Sequence, residues 1–369
     1  MNAKTENRVR LLIITPSLEC GGSEKFVSQV CNHIDNGRFA VCLVVVDNTS
    51  PFHEINNAAV EIIDLKKDRV LFSLTAIKKV VNKFKPDIIF STASHLNLYL
   101  AIFRKQFDAT IKFVAREASI VTINSRQAKM PVLYSWLIKR FYKRFDIVIC
   151  QSAYMQQDLV KNYSIDAGKT IVIRNAIEEN SGSESNSEIK RNDGVYKFLT
   201  VARLSEEKGI ERLIHAAGLL SISFKYYIIG EGNKLNVLQK LINNLQLQDK
   251  VFLKGIKRDP FSGMEDTDLF LLGSYYEGFP NVLLEAGAHG IPVVAFNVPG
   301  GIAEIIADNE NGLLVNDADP IAFAATINDA IGADFNREKI IENTKKRFSV
   351  NNMMHAVEGI FLKLPQINN

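Results

Sequence analysis

Leu11-Leu12-Ile13-Ile14-Thr15-Pro16-Ser17-Leu18-Glu19-Cys20-Gly21-Gly22-Ser23-Glu24 decides the fold class. Its first four residues are a continuous apolar run, the pattern of a strand buried on both faces of a parallel sheet. A Gly-Gly-Ser turn follows, and Glu24–Ile34 has helical periodicity. Strand, glycine turn and helix in that order open a βα unit.

The same alternation continues outward. Val41–Val46, Val60–Leu65, Ile88–Phe90, Ile111–Ala115, Ile147–Ile149 and Ile171–Ile173 read as further strands, with a helix over Leu71–Phe84. Residues 178–194 are polar and rich in Ser, Gly and Asn, which reads as a linker or as a surface loop within one domain. The pattern then restarts with strands at Lys197–Val201, Phe224–Ile229, Val251–Leu253, Leu269–Leu272, Pro292–Phe296 and Gly312–Val315. Helices are expected at Ile210–Leu219, Leu235–Leu245, Asn281–His289 and Ile321–Ile331. The fold class is therefore α/β: two doubly wound Rossmann-like domains facing across a cleft, 1–178 and 195–347, with a linker at 179–194. Open sheets of this kind bind ligands beyond the carboxyl ends of their strands.

Lys+Arg number 44 and Asp+Glu 41, a net charge of +3 that conceals an asymmetry. Residues 1–180 hold 25 basic and 17 acidic side chains, residues 181–369 hold 19 and 24. A basic first half and an acidic second half call for different partners. Cys20, Cys31, Cys42 and Cys150 form no CxxC pair and match no zinc spacing, which suits reduced thiols in the cytoplasm. No stretch approaches the roughly 18–20 apolar residues of a membrane span. The run after Arg10 stops at Pro16, too short for the apolar region of a signal peptide.

Three constellations carry chemistry. Gly21-Gly22-Ser23-Glu24 lets backbone approach a ligand closely where a helix N-terminus offers N–H groups to an anion, although a plain tight turn reads equally well. Arg203 ends a strand and Lys208 opens the next helix, so two cations converge where they can clamp a diphosphate. The alternative is a surface ion-pair cluster of Arg203, Glu206, Glu207 and Lys208. In Glu277-Gly278-Phe279-Pro280-Asn281-Val282-Leu283-Leu284-Glu285 two carboxylates lie eight positions apart across a turn-to-helix junction. Pro280 and Asn281 mark the helix start, leaving the N–H groups of Asn281, Val282 and Leu283 open to a phosphate. Glu285, one turn in, can chelate the hydroxyls of a ribose. Capping and ordinary helix-surface charge are the alternative here.

Arg203–Gly209, Glu277–Glu285 and Pro299-Gly300-Gly301, with the Gly21–Glu24 loop, resemble the motif set of retaining glycosyltransferases of family 4. The order and spacing match over most of the chain. The resemblance implies a GT-B fold, with a C-terminal helix at about 348–369 returning to the first domain. It implies a nucleotide-sugar donor, expected to be a UDP-sugar, and no cofactor and no metal. It makes Glu277, Arg203, Lys208 and His95 the catalytic set. Gly22, Arg203, Lys208, Gly255, Arg258, Glu277, Gly278, Phe279, Pro280, Asn281, Val282 and Glu285 would bind the donor. Gly21, Glu24, His95 and Glu117 would meet the acceptor. Two DxD triplets, Asp266-Thr267-Asp268 and Asp317-Ala318-Asp319, are read as turn and capping residues, not as a metal motif.

Met130–Phe145 places Lys139, Arg140, Lys143 and Arg144 beside Leu133, Trp136, Leu137, Phe141 and Phe145. A basic amphipathic helix with Trp suits an anionic membrane surface. A helix that packs its apolar stripe on the sheet and leaves its cations solvated fits the same pattern. The family resemblance favours the membrane and a lipid-linked saccharide acceptor, expected to be polyprenyl-diphosphate-linked, in the assembly of surface polysaccharides such as O-antigen or lipopolysaccharide. It implies a cytoplasmic enzyme, peripheral on the inner face of the cytoplasmic membrane. No nucleic-acid partner is expected. Another GT-B enzyme, an epimerase or phosphorylase, and a non-catalytic sugar-nucleotide-binding protein are the competing readings.

Overall fold

The computed structural model describes residues 8–179, 181–182 and 194–365. They form two compact units, one comprising the described residues up to Ala176 together with those from Val350 onward, the other running from Ile177 to Ser349.

Unit 1 runs β1 (Val9–Thr15), α1 (Gly22–His33), β2 (Phe39–Val45), β3 (Glu61–Asp64), α2 (Leu74–Phe84), β4 (Ile88–Thr92), α3 (Ser94–Phe103), β5 (Lys112–Arg116), α4 (Val121–Gln127), α5 (Pro131–Phe141), β6 (Ile147–Cys150), α6 (Ala153–Tyr163) and β7 (Thr170–Val172). Unit 2 follows with β8 (Tyr196–Val201), α7 (Ile210–Gly218), β9 (Phe224–Ile229), α8 (Leu235–Asn244), β10 (Val251–Leu253), β11 (Leu269–Leu272), α9 (Asn281–Ala288), β12 (Val293–Phe296), α10 (Ile302–Ile305), β13 (Gly312–Val315), α11 (Pro320–Gly332) and α12 (Arg337–Arg347). The last helix, α13 (Val350–Lys363), belongs to unit 1.

Both sheets are wholly parallel, in the orders β3-β2-β1-β4-β5-β6-β7 and β10-β9-β8-β11-β12-β13. The winding reverses between β1 and β4 and again between β8 and β11. Those two places are the switch points where strand-end loops splay apart and ligands enter. The apolar runs explain the sheets: Leu11–Ile14 and all of β11 and β12 are buried, as strands covered on both faces must be.

The helices follow their apolar periods. In α7, Ile210, Leu213, Ile214, Ala216 and Ala217 face the core while His215 is exposed. Burying each large one contributes about 1.5–3 kcal/mol. α13 places Met353, Met354, Val357 and Phe361 in the core of unit 1, with the Phe361 ring 5.5 Å from that of Phe90.

Three expectations shift. The helix expected over 71–84 begins only at Leu74, because Val70–Phe72 makes a separate short turn. Most of the linker expected at 179–194 lies outside the described residues. Unit 2 already begins at Ile177, whose N–H donates to the Phe348 carbonyl at 2.8 Å.

Candidate active site

The donor-side candidates gather at the switch point of unit 2. The loop from β8 to α7 carries Arg203 and Lys208, and the loop from β11 to α9 carries Glu277. Lys208 Nζ lies 2.6 Å from Glu277 Oε1. Ser274 Oγ donates to the same oxygen at 2.6 Å. Glu277 is only 9% exposed, so Lys208 and Ser274 stand in for water around its charge. Arg203 is paired with Glu207 at 3.0 Å but keeps 76% of its side chain in solvent. The Tyr275 N–H donates to the Glu207 carbonyl at 2.9 Å and ties the two loops together.

The convergent two-cation clamp expected from sequence is therefore split. Lys208 reaches across to Glu277, while Arg203 stays with Glu207 on its own loop. Glu206 turns away to Lys234 at 3.5 Å. In this arrangement both cations are paired with carboxylates, and any anion that binds them has to compete with those carboxylates.

Gly300 fixes Glu277 from the other side. The two residues form an isolated parallel bridge, and the Glu277 N–H donates to the Pro299 carbonyl at 3.1 Å. Gly300 has φ +129, and a Cβ there would overlap the Glu277 carbonyl. The Pro-Gly-Gly motif thus serves a backbone crossing that only glycine allows.

The start of α9 corrects two expectations. No side chain caps it, but the Leu283 N–H, expected to be open, donates to the Pro280 carbonyl at 3.1 Å. Phe279, expected to frame the sugar, is 4% exposed with its ring 5.8 Å from Phe348. Its side chain belongs to the core, so only its backbone can meet a ligand. Gly278 and Pro280 are likewise buried, whereas Asn281, Val282 and Glu285 are half-buried along α9. Gly255 turns the loop after β10 with φ +68, its carbonyl accepting the Gly230 N–H at 2.9 Å, and Arg258 is exposed further along that loop.

Arg212 was not expected to matter. It lies within the buried face of α7, 6% exposed, with its guanidinium 3.6 Å above the Phe296 ring and 4.2 Å from the Tyr275 ring. Its Nε donates to the Gly273 carbonyl at 2.6 Å and its Nη2 to the Ser274 carbonyl. Burial pulls its pKa down to about 10, so it remains charged. It anchors the loop that carries Glu277. The sequence signal is a cation between Ile210 and Leu213-Ile214, inside an apolar stripe.

Unit 1 has its own switch-point site, built on the loops after β1 and β4. Gly21 precedes α1, and the Glu24 carboxylate folds back over it, where a Gly21 Cβ would stand. Burial raises the Glu24 pKa. An anion approaching this helix end must displace a carboxylate already there. Gly22, the first residue of α1, is exposed. His95 is exposed in the first turn of α3, just after Ala93, whose φ of 73 is unusual for a side-chain-bearing residue.

Glu117 lies beneath that turn. It is 0% exposed, which corrects the expectation that it touches the acceptor. Its carboxylate accepts from Ser94 Oγ at 2.6 Å, Asn97 Nδ2 at 2.8 Å and Tyr142 OH at 2.7 Å. Burial still raises its pKa. Glu117 thus holds the Ala93–His95 turn in place and ties it to the residue that follows α5.

The DxD triplets do what their positions suggest. Asp268 accepts from the Lys197 N–H at 2.7 Å, Asp266 pairs with the Lys197 ammonium, and Asp319 caps α11 through the Ile321 N–H at 2.9 Å. Among the described residues no group of three His, Cys, Asp or Glu is arranged to hold a metal ion.

Comparison with known proteins bears on both halves. Residues 20–181 match the model of Glycosyltransferase Family 4, and residues 183–347 that of Glycosyl transferases group 1. The N-acetylgalactosamine-N,N'-diacetylbacillosaminyl-diphospho-undecaprenol 4-alpha-N-acetylgalactosaminyltransferase of Campylobacter jejuni is 30% identical over 318 residues, 83% of this chain and 86% of that protein. The chain belongs to glycosyltransferase family 4.

Solved structures agree on its fold. Sucrose-phosphate synthase from Thermosynechococcus elongatus matches with a TM-score of 0.81 at 19% identity, over 97% of this chain and 99% of that one. Anabaena HepE in complex with UDP-glucose matches with a TM-score of 0.76 at 22% identity, over 96% and 100%. This glycosyltransferase thus has the GT-B fold; its two family models divide the chain between residues 181 and 183, a few residues after the Ala176–Ile177 boundary between its units. Sequence reasoning named the family and the fold and put Lys208 and Glu277 among the site residues, but paired Lys208 with Arg203 and Glu277 with Glu285, missed Arg212, and did not foresee that the side chains of Phe279 and Glu117 are buried.

Proposed function

We propose that this glycosyltransferase moves a hexose or N-acetylhexosamine from a UDP-sugar to a polyprenyl-diphosphate-linked saccharide, with retention of configuration and without a metal. The observation that carries the reading is the Lys208–Glu277 pair at the switch point, beside the start of α9. Cleavage of the donor's sugar–phosphate bond builds negative charge on the departing diphosphate. Lys208, with Arg203 swinging from Glu207, supplies the compensating positive charge, and fixed charge placed where it develops lowers a barrier most. Glu277, released from part of its pairing, accepts hydrogen bonds from donor-sugar hydroxyls. Glu285 takes the ribose, and the Gly255–Arg258 loop takes the base.

His95 and the Gly21–Glu24 loop then serve the acceptor in unit 1, with Glu117 as a positioning residue beneath them. Support for a lipid-linked acceptor comes from the name of the Campylobacter jejuni relative, and support for a UDP-sugar from the HepE complex. The protein would work at the inner face of the cytoplasmic membrane. A thermal-shift screen of UDP-sugars, followed by turnover on polyprenyl-diphosphate saccharides, tests the reading. A donor that stabilises wild type but not Lys208→Ala supports it; equal stabilisation of both overturns the assignment of Lys208.

A further inference from the structure

Six large apolar side chains of unit 1 stand in water within two short segments. Leu71 and Phe72 are 66% and 64% exposed, and Met130, Val132, Leu133 and Trp136 follow at 62%, 85%, 42% and 55%. Both segments flank α3. The Tyr99 hydroxyl on α3 donates to the Leu71 carbonyl at 2.8 Å. On the other side α5 packs against α3, and Arg144 just beyond it donates to the Ala101 and Ile102 carbonyls at 3.0 and 2.8 Å. The sequence left open whether α5 packs its apolar stripe on the sheet, and the structure answers that: only Ile138 of α5 is buried.

Charge marks what the face fits. Residues 118–145 contain Arg126, Lys129, Lys139, Arg140, Lys143 and Arg144 and no acidic residue. Lys66, Lys67 and Arg69 precede Leu71, with Asp68 as the one acid among them, and all four are exposed. Exposed aliphatic and aromatic tips ringed by cations match an interface of acyl chains under anionic headgroups. A nucleic acid would use the cations but gain nothing from Val132, Leu71 or Phe72.

We propose that the Leu71–Phe72 turn and the exposed stripe of α5 form one two-part docking face for an anionic lipid bilayer. Two insertion points on either side of α3 fix the orientation of unit 1 on the surface, which a single amphipathic helix does not. The purpose of the face rests on the lipid-linked-acceptor reading. Its existence does not, because bilayer binding is measured without any acceptor.

The test is co-sedimentation of the full chain with phosphatidylglycerol-rich vesicles and with pure phosphatidylcholine vesicles. Wild type should prefer the anionic vesicles and release with salt. L71S/F72S should lower that binding about tenfold, and Lys139→Gln/Arg140→Gln/Lys143→Gln at least as much. Val237→Ser, a 50% exposed site in unit 2, should leave it unchanged. All three keep the wild-type thermal midpoint and UDP-sugar binding, since the altered side chains are solvent-exposed. Wild-type vesicle binding by L71S/F72S overturns the two-part face. Equal binding to neutral vesicles, or none to either, overturns the bilayer assignment, as does a dimer abolished by the same substitutions in the absence of vesicle binding. Failure of every acceptor in the turnover assay leaves these outcomes untouched and counts only against the proposed function.

Discussion

A double-mutant cycle on Lys208 and Glu277 measures how strongly the centre of unit 2 is wired. At 2.6 Å, a unit-charge pair with an effective dielectric near 20 has a gross attraction of about 6 kcal/mol. Desolvation removes a large part of it, because the side chains are only 20% and 10% exposed. A net coupling of about 2 kcal/mol is expected. Glu277→Gln keeps the shape and an acceptor for Ser274 but removes the charge. Lys208→Met removes the cation and keeps the stem. Each single change should destabilise unit 2 by about 2–3 kcal/mol, since it strands a buried partner. The double change should cost clearly less than the sum. Urea unfolding followed by a unit 2 probe supplies the four free energies. A coupling below about 0.5 kcal/mol would show that the pair is a surface contact, and the reasoning about the site would fail with it.

The other predictions are shorter. Gly300→Ala, forced into φ +129 against the Glu277 carbonyl, should cost about 2–5 kcal/mol in urea melts and abolish turnover. Arg212→Met strips two carbonyls of their donor; donor affinity by calorimetry should fall at least tenfold, and unchanged affinity would release Arg212 from its anchoring role. Glu117 has a raised folded pKa, so the folded state holds its proton more tightly and unit 1 loses stability as pH rises from the ordinary carboxylate value through the raised one. Glu117→Gln should flatten that slope in pH-dependent melts, and a slope unchanged by the substitution would contradict the burial argument. EDTA should leave turnover intact, and a loss reversed by added divalent ions would establish a metal requirement.

The fold was legible because parallel strands buried on both faces leave continuous apolar runs such as Leu11–Ile14 and Leu269–Leu272, and these need no long-range information. Lys208 and Glu277 were legible as separate candidates because each sits at a strand-to-helix junction, but their pairing was not. What the sequence hid depended on tertiary direction. Phe279 lies between Glu277 and Asn281, yet its ring turns into the core. Glu117 follows a strand as a ligand-binding carboxylate would, but Ser94, Asn97 and Tyr142, distant in sequence, close over it. Arg203 and Lys208 are five positions apart and were expected to act together. Their nearest carboxylates, Glu207 and Glu277, draw them apart. The charge asymmetry between the halves now has a physical reading: much of the basic excess lies exposed around α2, α5 and the turn before α2, while Lys208 and Arg203 in the acidic half are already paired.

The anomeric configuration of the product formed from an α-linked UDP-sugar and a polyprenyl-diphosphate saccharide, read by NMR coupling constants, tests the central claim most directly. The account predicts a new α-linkage formed by wild type and lost in Lys208→Met. A β-linkage, or an α-linked product made equally well by that variant, would contradict it.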